Sequence, residues 1–197
     1  MYERKDAFYR KAKREGYRAR SAYKLIELNQ EFRLLRPGAR VIDLGSWPGG
    51  WVQVAAELVG TKGKVVGIDL VALAPLANPQ VTLLQGDATD PVQQEKILAA
   101  LGSPAEVLLS DMSPKLSGIK EVDEAHAMEL CRTALHCART LLRPGGTLLT
   151  KVFMGPEHKT FLAEARALFA SVKTTKPESS RKGSAETYVV SAGLKGK

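Results

Sequence analysis

Soft metal ligands are scarce in this sequence: 197 residues contain two cysteines and three histidines. Cys131 and Cys137 fall within one helical pattern, where six residues of separation point them about 120° apart and ~9 Å along the axis. A bridge between them is geometrically excluded. Neither they nor the scattered histidines show zinc-site spacing, so a reduced chain with no bound metal is expected. Long apolar runs are missing too. None approaches the roughly 20 residues of a membrane-spanning helix. The opening stretch, MYERKDAFYRKAKREGYRAR, is charged throughout and has no apolar stretch of the secretory kind. No membrane partner and a cytoplasmic location are expected. With no repeat or low-complexity segment, residues 1–197 read as one domain, a monomer, with 1–35 as a basic helical extension.

Positive charge is what the sequence has in excess, and it is unevenly spread. The net charge is +8, with residues 1–40 contributing +7, residues 41–170 contributing −3 and residues 171–197 contributing +4. Basic ends around a mildly acidic middle suit a protein that grips phosphates beside a separate working site. Aromatic residues are only 6% of the chain, yet Tyr2, Phe8, Tyr9, Tyr17 and Tyr23 are interleaved with the N-terminal bases. A merely solvating basic tail has no use for them, and this favours nucleic-acid binding.

Residues 3–15 and 20–34 read as two helices, the second stopped by Arg36-Pro37-Gly38. Short apolar, β-branched runs then alternate with helical patterns. Strands are expected at 39–45, 64–70, 81–87, 106–111 and 146–153, and helices at 50–59, 91–101, 121–142 and 157–170. The third of these helices closes with RPGG. Strands buried on both faces and joined through helices make a parallel sheet with right-handed crossovers. The strand-like runs 171–177 and 186–192 have only a loop between them, which requires an antiparallel neighbour. The expected architecture is α/β: a Rossmann-like, mostly parallel sheet of seven strands with one reversed, and helices on both faces.

Ligands of such sheets sit at the carboxyl ends of the strands. Here the first strand runs into DLGSWPGGW, residues 43–51. G-x-x-x-G-G is neither the dinucleotide fingerprint nor a phosphate loop with its Lys-Ser/Thr, and Pro48 removes an N–H that a phosphate would want. The loop suits close backbone approach to a ligand with little phosphate charge. Asp69 ends the second strand, where a carboxylate can hold two ribose hydroxyls. Asp87, ending the third, can accept from the exocyclic amine of an adenine. A lone strand-end Asp more often caps the next helix, but three placed strand ends with this loop describe S-adenosylmethionine.

The methyl acceptor follows by elimination. After the fourth strand comes Ser110-Asp-Met-Ser-Pro-Lys115, without the Asx-Pro-Pro-aromatic of base N-methylation, and both cysteines sit in mid-helix, away from any strand end where a carbon-methylating nucleophile would stand. What remains is Lys151, ending a buried strand in TLLTKVF, with Asp111 on the same sheet edge. A buried lysine must be paired or used. A structural Lys151–Asp111 ion pair satisfies that, and coexists with Lys151 accepting a proton from a ribose hydroxyl during methyl transfer.

The ordered set YRARSAYKL (17–25), DLGSWPGGW (43–51), GIDL (67–70), QGD (85–87), LSDMSPKLSG (109–118), KVF (151–153) and KPESSRKGSAETYVV (176–190) resembles the FtsJ/RrmJ-type large-subunit ribosomal RNA 2′-O-methyltransferases over nearly the whole chain. The resemblance implies a catalytic tetrad of Lys24, Asp111, Lys151 and Glu186. In it Lys151 is the proton acceptor, Asp111 and Glu186 position it, and Lys24 is the second cation. It implies S-adenosylmethionine at Gly49, Trp51, Asp69, Asp87 and Asp111, and the neighbouring Gly45, Ser46, Pro48, Gly50, Leu70 and Ala88 are expected to complete its contacts. The implied substrate is a uridine ribose of ribosomal RNA in the large subunit, with Arg10, Lys11, Lys13, Arg14, Arg18, Arg20, Arg181 and Lys182 on its phosphates. Without the resemblance, Lys24 reads as one more surface base and Glu186 as an exposed strand residue. One departure stands out: Ser46-Trp47 replaces the usual Ala-Ala before Pro-Gly-Gly, leaving Trp47 either over the cofactor or under the first helix. Rival readings are the same chemistry on tRNA or another ribosomal site, and an RNA-binding assembly factor without turnover. The full tetrad argues against the second.

Overall fold

The computed structural model describes residues 7–181 and 183–196; the expected helical turn at 3–6 and the RNA candidate Lys182 lie outside the described residues. The sheet strands are β1 (Arg40–Leu44), β2 (Lys64–Asp69), β3 (Val81–Gln85), β4 (Ala105–Ser110), β5 (Leu142–Phe153), β6 (Phe169–Thr175) and β7 (Glu186–Leu194). Their spatial order is β3-β2-β1-β4-β5-β7-β6. β7 runs antiparallel to both β5 and β6, and the other pairs are parallel. This is the expected mostly parallel sheet with one reversed strand. Central strands β1, β2 and β4 are buried almost without interruption, as strands covered on both faces must be.

Among the described residues the α-helices are α1 (Ala7–Glu15), α2 (Ala22–Phe32), α3 (Gly50–Val59), α4 (Pro91–Leu101), α5 (Lys120–Leu141) and α6 (His158–Leu168). Local chemistry sets their ends. Asp90 caps α4 by accepting from Val92 N at 2.9 Å, and Pro91 occupies the first turn. Side-chain alternation along each strand divides the core into two layers. Ile42, Leu108, Leu148 and Val152 pack with α5 and α6 residues such as Leu135 and Phe161. Val41, Leu109, Leu149, Tyr188 and Val190 pack on the other face with Leu25 and Leu28 of α2 and Trp51 and Ala55 of α3.

Several boundaries differ from expectation by one or two residues, and the largest difference among the described residues is at β5. α5 ends at Leu141 and β5 begins at once with Leu142, so RPGG is an excursion inside the strand, between the pairs Ala105–Leu142 and Val107–Thr147. Arg143 precedes Pro144, and a residue before proline is driven out of the helical region. No helix among the described residues is long and apolar enough to cross a membrane.

Candidate active site

Register places the catalytic candidates in a row. β4 pairs Ser110 with Thr150, so Asp111, the next residue, stands beside Lys151. On the other side β5 pairs Lys151 with Tyr188 and Phe153 with Glu186. Directly opposed residues share a face, and so do residues two apart. Asp111, Lys151, Tyr188 and Glu186 therefore face α2 and α3, α2 delivers Lys24 onto them, and Phe153 at the strand end lies beside the start of α5.

The contacts are close. Lys151 Nζ donates to the Asp111 carbonyl at 2.9 Å and to Ser113 Oγ, and stands 3.3 Å from Asp111 Oδ1. Three oxygens thus match the three N–H groups of an ammonium. Lys24 Nζ donates to Glu186 Oε2 at 2.9 Å and lies 5.5 Å from the centroid of the Tyr188 ring. The Tyr188 hydroxyl donates to Asp111 Oδ1 at 2.6 Å. Both lysines are buried, Lys151 at 5% exposure and Lys24 at 8%. Burial pushes the Glu186 carboxyl up, but the charge and hydrogen bond of Lys24 and the charge of Lys151 outweigh it, and the net shift is down. Burial, then the charge and hydrogen bond of Asp111, raise the Tyr188 phenol well above its ordinary value, so it remains a donor.

The glycine loop lies next to this row. Gly45 has φ +68°, and a Cβ there would lie 2.4 Å from Met112 Cγ. Gly49 has φ +111°, and a Cβ would press on the Arg18 guanidinium at 3.0 Å. Glycine is required at both. The Trp47–Pro48 peptide is cis. Trp47 is 59% exposed, which rules out packing under the first helix. Beneath the loop, Asp43 Oδ2 and Ser46 Oγ are buried with no hydrogen-bond partner among the described residues, and both line a pocket with Gly45, Trp51 and Asp111. Burial, then the charges of Asp111 and Asp69, push the Asp43 carboxyl well above its ordinary value. The negative charges of Asp111 and Asp69 against the buried Asp43, with two buried oxygens lacking partners among the described residues, suit a cationic ligand. A sulfonium carrying an α-ammonium fits, and a pyrophosphate does not.

Asp69 and Asp87 also do the structural work expected of strand-end aspartates. Asp69 accepts from Trp47 N at 2.9 Å and Val71 N at 2.8 Å, shaping the loop from two sides. Asp87 Oδ1 accepts from the Thr89 amide and hydroxyl, each at 2.8 Å. Leu70 is exposed beyond β2, and Ala88 packs against the core behind β3.

The basic candidates divide. Arg10, Lys11, Lys13 and Arg14 are exposed on α1, and Arg181 is exposed in the loop before β7. Arg18 is turned inward instead. Its guanidinium donates to the carbonyls of Ala74 and Pro75, both at 2.7 Å, and of Pro48 at 3.4 Å. It ties the arm to the glycine loop. Arg20 donates to the Ser179 carbonyl at 2.6 Å, holding the loop that carries Arg181. Three of the interleaved aromatics pack on one another. Phe8 and Tyr17 pack on the Tyr23 ring with centroids 5.6 and 5.8 Å away, and Lys11 Nζ sits 4.4 Å from that ring. They glue α1 to α2.

Sequence reasoning passed over Asp43, Ser113 and Tyr188 as site residues. Alternation along β7 from Glu186 reaches Tyr188, and DLG at the end of a buried strand marks Asp43. No comparable signal marks Ser113.

Similarity to known proteins agrees with this geometry. The FtsJ-like methyltransferase family model matches residues 17–194. The chain is 51% identical over 98% of its length, and 74% of the relative's, to ribosomal RNA large subunit methyltransferase E of Methanothrix thermoacetophila. It is 44% identical over its full length, and 94% of the relative's, to the protein of that name from Methanobrevibacter smithii. Among solved structures, a Plasmodium falciparum protein assigned as a ribosomal RNA methyltransferase superimposes with a TM-score of 0.82 at 30% identity, covering 92% of this chain and all of that one. Aeropyrum pernix fibrillarin, solved with S-adenosylmethionine, shares the fold at a TM-score of 0.62 and 15% identity, over 87% of this chain and 76% of its own. The chain belongs to the FtsJ-like methyltransferase family.

Proposed function

We propose that this chain methylates the ribose 2′-hydroxyl of a uridine in large-subunit ribosomal RNA, acting as a single methyltransferase domain over residues 1–197, as a monomer in the cytoplasm. S-Adenosylmethionine, its cofactor, supplies a methyl carbon activated by the sulfonium. Gly45 to Trp51 cradle it, Asp69 holds the ribose hydroxyls, Asp87 receives the adenine amine, and Asp43 and Asp111 face its positive charges. Lys151, once its ammonium has shed a proton, takes the proton of the attacking 2′-hydroxyl. Asp111 and Ser113 aim Nζ, and Tyr188 fixes the Asp111 carboxylate. Lys24, held by Glu186, is the second cation beside the oxygen on which charge gathers. The observation that carries this reading is the buried Lys151, aimed by three oxygens at the lip of an acidic pocket with a second buried lysine beside it.

Tritiated cofactor offered with separated ribosomal subunits, ribosomal RNA and tRNA tests it. Label should enter large-subunit RNA and map to a ribose 2′-oxygen of uridine. Label in tRNA, or on a base carbon or nitrogen, refutes the proposal.

The exposed bases of α1 supply the grip on RNA phosphates. Reversing Arg10, Lys11 and Lys13 to glutamate should weaken RNA binding. It should also flatten the dependence of log affinity on log salt by about 2 units, since each phosphate contact on a single strand contributes ~0.7. Filter binding across a salt series checks this, and an unchanged slope counts against the arm as the grip.

A further inference from the structure

Beyond Lys151 the surface changes character. Pro114 and Leu116 from the segment after β4, Phe153 and Met154 at the end of β5, and Ala185 before β7 line a largely apolar groove, to which the start of α5 adds Lys120, Asp123 and Glu124. Leu116 is 74% exposed and Met154 52%. Single exposed apolar side chains are ordinary, but a contiguous apolar groove marks a binding surface. This one adjoins the reacting atom. Lys151 Nζ donates to Ser113 Oγ, immediately before Pro114, and lies 5.8 Å from the centroid of the Phe153 ring. Both walls are anchored. Asp123 accepts from Ser117 N and Ser117 Oγ at 2.7 Å and from Gly118 N at 3.2 Å, fixing the loop that carries Leu116. Met154 N donates to the Ala185 carbonyl at 3.0 Å.

We propose that this groove is the subsite for the base of the nucleotide being methylated, held unstacked from its neighbours in the RNA. The inference rests on the reading that Lys151 faces the ribose 2′-hydroxyl. The base hangs from the sugar carbon next to the one bearing that hydroxyl, so a 2′-oxygen at Nζ keeps the base within a sugar's width of Lys151. Asp111 flanks Lys151 on the β4 side, and Tyr188 with the Lys24–Glu186 pair on the β7 side. The groove begins past the end of the row, at Phe153. Enzymes that act on one nucleotide take it out of the stack, and an unstacked base is held through its face by aromatic and apolar side chains. The apolar walls read a base by its faces, with the basic arm and the shape of the RNA contributing to selection of the target.

The test uses Leu116→Ala with Met154→Ala, two exposed side chains whose loss leaves the core intact, and Val92→Ala, an exposed apolar residue on α4, as control. Transfer is measured on large subunits, and cofactor affinity by calorimetry. A photo-cross-link is raised from 4-thiouridine placed at the position that the wild-type protein methylates. The double variant should lose about tenfold in kcat/KM with cofactor affinity unchanged, the control should match wild type, and the cross-link should fall on residues 114–116 or 153–154. Unchanged kcat/KM in the double variant overturns the proposal. So does a cross-link elsewhere, including the case where kcat/KM falls because a ribosomal protein occupies the groove. If the wild-type protein puts no methyl on ribose at all, the functional reading fails, and the subsite with it.

Discussion

Lys151→Ala should leave the protein folded and able to bind S-adenosylmethionine within a few-fold of wild type, while methyl transfer falls by about two to four orders of magnitude, the range a positioned general base supplies. The separation is expected because Lys151 is not needed to build the cofactor pocket. That pocket is made by the glycine loop, Asp43 and Asp69, and Asp111 keeps its bond from Tyr188 when the lysine is gone. Lys151→Met, which keeps the packing of the side chain and removes the nitrogen, should behave the same way. Single-turnover transfer from tritiated cofactor into large subunits, beside calorimetric cofactor binding, distinguishes the outcomes. Transfer near the wild-type rate in either variant removes Lys151 from the chemistry.

Glu186→Ala should cost both stability and activity. The Lys24 side chain is only 10% exposed, and losing its carboxylate strands a buried charge, at a cost of about 3–5 kcal/mol. For a chain of this size that lowers Tm by roughly 10 °C. Replacing both partners, Lys24→Met with Glu186→Leu, should recover most of the stability, since an apolar pair of similar volume substitutes well for a buried ion pair. Activity should stay lost. Stability and turnover then move apart, and a double variant that recovered turnover would make the pair merely architectural. The pH dependence has a definite sign. The Glu186 carboxyl lies below its ordinary value of 4.5 when folded, so its contribution is complete above that value and fades as pH falls through the lowered one. The deficit of the single variant should therefore be full at neutral pH and shrink in acid. A deficit that grows in acid contradicts the pairing.

Much of the fold was legible because buried parallel strands and the helices between them leave strong local patterns. VIDL, VVGID and VLLS read as strands from their apolar character, and 50–59 and 91–101 as helices from the patterns between those strands. The start of β5 was missed because a strand that opens with an excursion through Arg143–Gly146 looks, residue by residue, like a helix stop. The site was legible only in part. Strand-end aspartates and a terminal lysine announce themselves, since their positions along the chain fix their place on the sheet edge. Lys24 and Glu186 do not, because the 162 residues between them give no hint that they meet; only the family resemblance brought them together. Orientation is not legible in the sequence for Arg18 or for Phe8, Tyr17 and Tyr23. Composition counts charges and rings without saying which way they face, and here they face inward, onto carbonyls and onto one another.

The position of β7, inserted between β5 and β6, has a consequence for the order in which the protein becomes competent during synthesis. A chain emerges from the ribosome N-terminus first. The basic arm is therefore available early, while the partner of Lys24 arrives on the last strand, whose place is between two earlier ones. On the proposed roles, a chain stopped before Glu186 lacks the carboxylate that holds Lys24 and should transfer no methyl group.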